Sequence, residues 1–269
     1  MKSIEDIERS IITTYRKDIW RRFNKAICDY DLIQEGDKIA VCISGGKDSF
    51  LMAKCLQELM KHGKVKFTCK FIMMDPGYKD DTEKIISLSK KLGIELDVFK
   101  TDIFEVINNI DVKMPCFMCA KMRRGYLYSY AQKNGCNKIA LGHHFNDVIE
   151  TTLLDMFYNG RFEGMLPNIE STNFPGMKLI RPLYLVKECS IINWMNYNEI
   201  EFITPKCGFK EEDSKRMEIK KLIHDLKKNN KFLEDNILKS LENINLNQVL
   251  GYYKDNVKYF YLNDEESKR

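Results

Sequence analysis

Residues 3–30 carry apolar side chains at helical spacing: Ile4, Ile7, Ile11, Ile12, Tyr15, Ile19, Phe23 and Ile27. Such a stripe predicts an amphipathic helical segment packed on a core. Ser3 followed by Asp6 supplies a start signal, because a short side-chain oxygen satisfies the first free N–H groups of a helix. From residue 38 the pattern changes to short apolar runs alternating with longer amphipathic ones. Strands are expected at 38–43, 67–75, 94–99, 137–142 and 178–183, and helices at 50–62, 82–92, 120–134 and 145–159. This alternation predicts an α/β fold: a doubly wound parallel sheet covered on both faces by helices. Beyond Gly208, residues 211–245 read as charged helices, and 251–261 is an aromatic run with Tyr252, Tyr253, Tyr259, Phe260 and Tyr261. The expected division is an N-terminal helical extension (1–33), an α/β domain (34–208) and a C-terminal helical extension (209–269).

Composition narrows the class. At 269 residues the chain is long enough for a full core, and 44% apolar with 30% charged residues fits a soluble globular protein. No apolar run reaches the length of a membrane span, and Met1 to Ser10 does not read as a signal peptide. Nine cysteines without a secretory signal point to a reducing, cytoplasmic setting, where thiols bind metal or do chemistry. A net charge of +4 permits a polyanionic partner without demanding one.

Candidate chemistry starts at Ser44-Gly45-Gly46-Lys47-Asp48-Ser49. The apolar run Ile39–Ile43 precedes it, and a helix-like run from Phe50 to Met60 follows. Strand, glycine turn and helix aim backbone N–H groups at a phosphate. The two glycines permit a sharp turn and close ligand approach. Ser44 and Ser49 add hydroxyls, and Lys47 adds a positive charge. A Walker loop would place Gly where Val41 stands and Ser or Thr where Asp48 stands. An acid beside phosphates makes sense as a holder of Mg²⁺. Two other suggestive sequences fall at strand ends, where ligands bind in such folds: Asp75-Pro76-Gly77-Tyr78 and Gly142-His143-His144.

Cys116-Phe117-Met118-Cys119 is a lone CxxC, and Cys207, in a Pro/Gly-flanked loop, is the best distant companion. Three thiolates suit an iron–sulfur cluster with one iron left open. They equally suit a persulfide carrier with resolving thiols, or an incomplete zinc site.

The six-residue loop resembles the PP-loop of the N-type ATP pyrophosphatases, which split ATP between the α and β phosphates. A longer ordered set follows it. Cys116-x-x-Cys119-x-x-x-Arg123-Arg124-Gly125 precedes Ile139-Ala140-Leu141-Gly142-His143-His144-x-x-Asp147. Glu150-Thr151, Met156-Phe157-Tyr158, Gly160, Gly164-Met165, Pro167 and Ile180-Arg181-Pro182-Leu183 complete it. Together these residues resemble the tRNA 2-thiocytidine synthetase family over roughly residues 20–210. The resemblance implies a Rossmann-like PP-loop fold and exchange of sulfur for the 2-oxygen of cytidine 32 in tRNA. It implies ATP as co-substrate, Mg²⁺, and a [4Fe–4S] cluster on Cys116, Cys119 and Cys207. ATP would be bound by Ser44 to Ser49, Asp75, Gly142 and His143. Lys47, Asp48, Asp147 and Arg123 would be catalytic, with Asp48 on Mg²⁺. The implied partners are tRNA, a sulfur donor such as a cysteine desulfurase or sulfide, and a second copy in a homodimer; no membrane partner is implied. Asn146 departs from the family, which has an acid there, and Cys207 stands alone where the family often has two cysteines.

Lys215, Arg216, Lys220, Lys221, Lys227, Lys228 and Lys231 form a candidate RNA-phosphate stripe, interleaved with Glu211, Glu212, Asp213 and Glu218. Arg16, Lys17, Arg21, Arg22 and Lys25 are a second basic face, with an ordinary solvated helix as the alternative. Two other functions compete: a thiolase for another tRNA base such as uridine, and an inactive iron–sulfur RNA-binding module. Intact Lys47, Asp48 and Ser49 argue against the second.

Overall fold

The computed structural model describes residues 1–75, 79–101, 103, 115–201, 203 and 213–262. The apolar stripe of residues 3–30 folds as two helices rather than one. Helix α1 (Ile4–Ile12) is capped by Ser3, whose Oγ accepts from the Asp6 N–H at 3.1 Å. A π-helical turn at Arg16–Trp20 follows, and α2 spans Arg21–Asp29. The wider turn keeps Ile7, Ile11, Ile19 and Phe23 on one side, all fully buried. Buried Ser10 anchors this corner by accepting from Trp194 Nε1 at 3.0 Å and Asn198 Nδ2 at 3.2 Å. On the outer side Arg16, Lys17, Arg21 and Lys25 are exposed.

Strands β1 (Lys38–Cys42), β2 (Thr68–Asp75), β3 (Leu96–Lys100), β4 (Lys138–Ala140), β5 (Asn168–Glu170) and β6 (Lys178–Ile180) form one sheet. Their order is β3-β2-β1-β4-β6-β5. Every neighbouring pair is parallel except the edge pair β5–β6. Helices α3 (Lys47–His62), α4 (Lys79–Lys91), α5 (Pro115–Lys133) and α6 (Phe145–Tyr158) connect the strands. The pleat sends alternate residues to opposite faces. Ile39, Val41, Phe71 and Met73 join α1 to α3 in one core, while Ala40, Ile72 and Ile139 meet Tyr128 and Ala131 of α5 in another. The doubly wound arrangement expected from the sequence is what forms.

Helix α7 (Glu188–Tyr197) places Trp194 in the first core, and the sequence pattern did not single it out. Helices α8 (Asp213–Lys227) and α9 (Leu233–Glu242) pack Ile219, Ile223 and Ile237 against Phe145 and Ile149 of α6. The aromatic run at 251–261 is largely a hairpin, β7 (Gly251–Lys254) with β8 (Val257–Phe260), turned by Asp255 and Asn256 at positive φ. Tyr252 and Tyr259 stack across it with ring centroids 4.9 Å apart. No described helix is long and apolar enough to cross a membrane.

A buried ion pair fixes β1 beside β4. Lys138 Nζ lies 2.6 Å from Asp37 Oδ2 and donates to the Leu32 carbonyl at 3.0 Å. Asp37 also accepts from Gln34 N and Asn137 Nδ2, each at 2.7 Å. Burial opposes the charge on Asp37, but these donors outweigh it and hold its pKa below the ordinary value. Its stabilisation is therefore full above the unfolded carboxylate pKa of about 3.9 and is lost as pH falls through the lower folded value. Asp37→Ala strands a buried ammonium and is expected to cost about 3–5 kcal/mol in urea unfolding. A loss below about 1 kcal/mol would mean that the pair is solvated in solution.

Candidate ATP site

The Ser44–Ser49 loop sits at the carboxyl end of β1, between the ends of β2 and β4. Gly45 has φ +87°, a conformation that side chains rarely adopt. A Cβ there would lie 2.5 Å from Ile85 Cδ1 of α4. Gly46 is the N-cap of α3 and supplies no side chain to cap it. The first N–H groups of α3 therefore face the loop as anion donors. Ser49 Oγ donates to the Gly46 carbonyl at 2.8 Å and accepts from Ser44 N at 3.3 Å, which pins the turn. Gly142 lets β4 approach closely, since a Cβ there would press to 3.2 Å on the backbone of Asp48 and Ser49.

Gly45→Ala is expected to destabilise the chain by about 1–3 kcal/mol through its forced φ. Gly46→Ala has an ordinary φ of −79° and only Ser44 Oγ at 3.7 Å, so its melting temperature should stay near that of the unsubstituted chain. Equal melting of the two variants would show that the loop relaxes freely.

Charged groups converge beside the loop. Lys47 Nζ lies 3.2 Å from Asp48 Oδ2 and 3.0 Å from Glu188 Oε1. Burial works against the Lys47 ammonium, but Asp48 and Glu188 outweigh it and keep its pKa above the ordinary lysine value. Burial pushes the Asp48 carboxyl above its ordinary pKa, against the pull of His144 and Lys47. Asp48 Oδ1 is shielded from solvent and accepts no hydrogen bond. A hard oxygen ligand with no hydrogen bond beside a phosphate loop is a donor that suits Mg²⁺, so the residues fit that ion.

His144 is the N-cap of α6, and its partner in a reciprocal capping box is Asp147. Its Nδ1 accepts from Asp147 N at 3.4 Å, and Asp147 Oδ2 accepts from His144 N at 2.9 Å. With Nδ1 an acceptor, the proton of a neutral imidazole sits on Nε2. That nitrogen faces Asp48 Oδ1 at 3.7 Å and Glu188 Oε1 at 3.9 Å. His143 has a buried Nδ1 with no hydrogen bond; burial first, then Arg181, lowers its pKa. It therefore stays neutral near pH 7.

Asp147 is tied to a residue that sequence reading assigned elsewhere. Arg216 of α8 lies 2.6 Å from Asp147 Oδ1 and 2.8 Å from Glu150 Oε2. Lys220, one turn on, lies 3.8 Å from Glu150 Oε1 and 3.6 Å from Glu188 Oε2. Burial opposes ionisation of Asp147, but His144, its backbone N–H and Arg216 together lower its pKa. The candidate RNA stripe is thus divided. Arg216 and Lys220 face the loop site, Lys227 pairs with Glu234 at 2.9 Å, Lys228 pairs with Asp225 at 2.8 Å, and Lys215 lies over the Tyr158 ring.

Glu188 joins the site from α7, and no local motif in the sequence marks it. Its backbone N–H donates to Asn146 Oδ1 at 2.9 Å. Asn146 thereby caps the start of α7 and places Glu188 at the loop. The neutral amide does this without adding a third negative charge beside Asp147 and Glu188.

Asp75 ends β2 on the same sheet edge and accepts from Thr82 Oγ1 at 2.8 Å; Pro76 to Tyr78 lie outside the described residues. Arg123 is half-buried on α5, and Arg124 is exposed. Cys116 and Cys119 are in the first turns of α5, but their side chains and the whole of Cys207 lie outside the described residues. The described cysteines offer little chemistry near the loop. Burial raises the thiols of Cys42 and Cys69 to about 12, and raises Cys55 further. Among the described residues no three His, Cys, Asp or Glu side chains are grouped as a metal site.

The pattern of the PP-loop domain matches residues 15–241. The chain is 38% identical to the tRNA-cytidine(32) 2-sulfurtransferase of Geotalea uraniireducens (strain Rf4) over 235 residues, 84% of this chain and 91% of that protein. It is 36% identical to the enzyme of the same name from Citrifermentans bemidjiense over 241 residues, 86% of this chain and 92% of that one. Among solved structures it is similar to the U34-tRNA thiolase NcsA from Methanococcus maripaludis, described with its [4Fe–4S] cluster. The TM-score is 0.67 at 22% identity, over 84% of this chain and 79% of that one, which shows a shared fold. The chain therefore belongs to the PP-loop family, among the tRNA-cytidine(32) 2-sulfurtransferases.

Proposed function

We propose that this chain replaces the 2-oxygen of a tRNA cytidine, at position 32, by sulfur at the expense of ATP. The observation that carries this reading is the 38% identity to a tRNA-cytidine(32) 2-sulfurtransferase along 84% of the chain. The loop geometry supports it: Gly45 at positive φ, an uncapped helix start and Lys47 suit a polyphosphate cradle.

The chemistry needs activation first, because the cytosine C2 carbonyl is a weak electrophile with a poor leaving group. Its oxygen attacks the α-phosphate of ATP, and pyrophosphate leaves. Lys47 and the N–H groups of α3 offset charge that grows on the phosphates. The base must be turned out of the anticodon loop for C2 to be reached. A sulfide equivalent then attacks C2, and AMP departs with the former carbonyl oxygen. The balance is one ATP and one sulfide consumed for one AMP, one pyrophosphate and one thiocarbonyl.

Mg²⁺ would be held by Asp48, where it would neutralise phosphate charge. Cys116, Cys119 and Cys207 would hold a [4Fe–4S] cluster, a group that presents sulfur for transfer; three thiolates are the donor set that leaves one iron open. The reading is supported by the U34-tRNA thiolase of like fold, which is described with its [4Fe–4S] cluster. Arg123, on the same helix as the CxxC pair, would grip the adenylate phosphate or the RNA backbone. The sulfur donor would be sulfide or a cysteine desulfurase, and the active form a homodimer.

Incubation of the chain with tRNA and ATP labelled at the α-phosphate tests the activation step. In the absence of any sulfur source, label should transfer to tRNA with release of one equivalent of pyrophosphate. Pyrophosphate release without tRNA labelling, at any protein concentration, would contradict an adenylated base.

A further inference from the structure

One carboxylate links two cations from distant parts of the chain. Glu188 Oε1 lies 3.0 Å from Lys47 Nζ of the loop, and Glu188 Oε2 lies 3.6 Å from Lys220 Nζ of α8. The bond from Glu188 N to Asn146 fixes where this acid enters. Lys47 stands at the uncapped start of α3. Glu188 thus bridges Lys47, at the positive end of α3, to Lys220, and with Asp48 it is one of two carboxylates of the protein on Lys47. Burial opposes the negative charge of Glu188, but Lys47 and Lys220 outweigh it, so it stays ionised. A triphosphate brings more charge and more acceptor oxygens to the same donors than one carboxylate does. It also repels an ionised carboxylate at close range.

We propose that Glu188 is an internal stand-in for phosphate, and that Lys220 is a further phosphate-binding residue that ATP takes over from it. This rests on the ATP-site reading above. Lys220 then belongs to the nucleotide site rather than to an RNA-facing stripe. Lys220 also lies 3.8 Å from Glu150 Oε1, and Arg216 holds Glu150 from its other side. These contacts keep α8 docked while Lys220 changes partner.

Binding of the α,β-methylene analogue of ATP to the full chain, measured by calorimetry without tRNA, tests the exchange. Titrations are run with Mg²⁺ and with EDTA, and circular dichroism checks each variant's fold. Glu188→Gln removes the competing charge and should tighten binding about tenfold in both conditions. Lys220→Gln should weaken it about tenfold, whereas Lys220→Arg, which keeps the charge, should bind within about threefold of the unsubstituted chain. In the double variant, the gain from Glu188→Gln should shrink, because the two residues act through one contact. Weaker binding by Glu188→Gln only when Mg²⁺ is present would make Glu188 a metal ligand and overturn the stand-in. Unchanged affinity in both single variants would make the pair structural and overturn the proposal. If Lys220→Gln fails to fold, Glu188→Gln alone decides by its sign. A chain that binds the analogue but never thiolates tRNA sinks the proposed function and leaves this exchange standing. An unsubstituted chain that binds no analogue sinks both.

Discussion

Lys47→Ala and Asp48→Ala should each lower ATP-dependent tRNA thiolation by about 100-fold or more, the scale seen when one preorganised electrostatic stabiliser is removed. The two losses have different origins. Lys47 is in the phosphate loop and is held charged by two carboxylates, Asp48 and Glu188. Its removal leaves Asp48 and Glu188 facing incoming phosphates with no cation between them. Asp48 carries a buried oxygen with no hydrogen bond, and its removal takes away the natural seat of a divalent ion. Excess Mg²⁺ should therefore partly rescue a weakened Asp48→Asn variant and not Lys47→Ala. If the chain holds the proposed cluster, both variants should keep its near-visible absorption, because neither residue is a thiol. Thiolation within about threefold of normal in either would contradict the phosphate chemistry assigned to the loop.

Cys116→Ala, Cys119→Ala and Cys207→Ala should each abolish both the near-visible absorption of the anaerobically reconstituted protein and its thiolation activity. A three-thiolate site has no spare ligand, so loss of one thiolate removes the cluster. Cys55→Ala is the control. That thiol is fully buried in the sheet core on α3, where burial keeps it protonated. Its replacement leaves a cavity of modest size and should cost stability rather than iron. A full cluster in Cys207→Ala would show that another residue completes the set.

Legibility of the fold tracked the strength of each local period. The runs at 38–43, 67–75 and 145–159 are long and bounded by glycine or polar residues, and they became β1, β2 and α6 within a residue or two. The edge strand Asn168–Glu170 was not legible, because three residues carry no period and their pairing to β6 is set by the neighbour. The hairpin at 251–260 was visible as aromatic residues but not as strands, since its turn, Asp255-Asn256, lacks the glycine that marks such turns. The break within the helical segment 3–30 was not legible, because apolar spacing alone does not distinguish an α turn from the wider turn at Arg16–Trp20.

The site divides in the same way. The loop residues and His144-x-x-Asp147 are contiguous, so their chemistry is written locally. Glu188, Arg216 and Lys220 reach the loop from α7 and α8, and only packing of Ile219 and Ile223 on α6 turns α8 inward. A charged helix reads the same from sequence whether its basic face meets RNA or buried carboxylates. The one local hint was Glu150 in the helix after the His pair, an acid on a face that becomes buried and so requires a cationic partner.

Mass spectrometry of nucleosides, with the modified position mapped in the RNA, tests the central claim most directly. Unmodified tRNA is incubated anaerobically with the reconstituted chain, ATP, Mg²⁺ and sulfide. The expected product is 2-thiocytidine at position 32, absent without ATP and matched by one AMP and one pyrophosphate for each sulfur inserted. Sulfur found on uridine 34 instead, or ATP turnover with no thionucleoside, would contradict it.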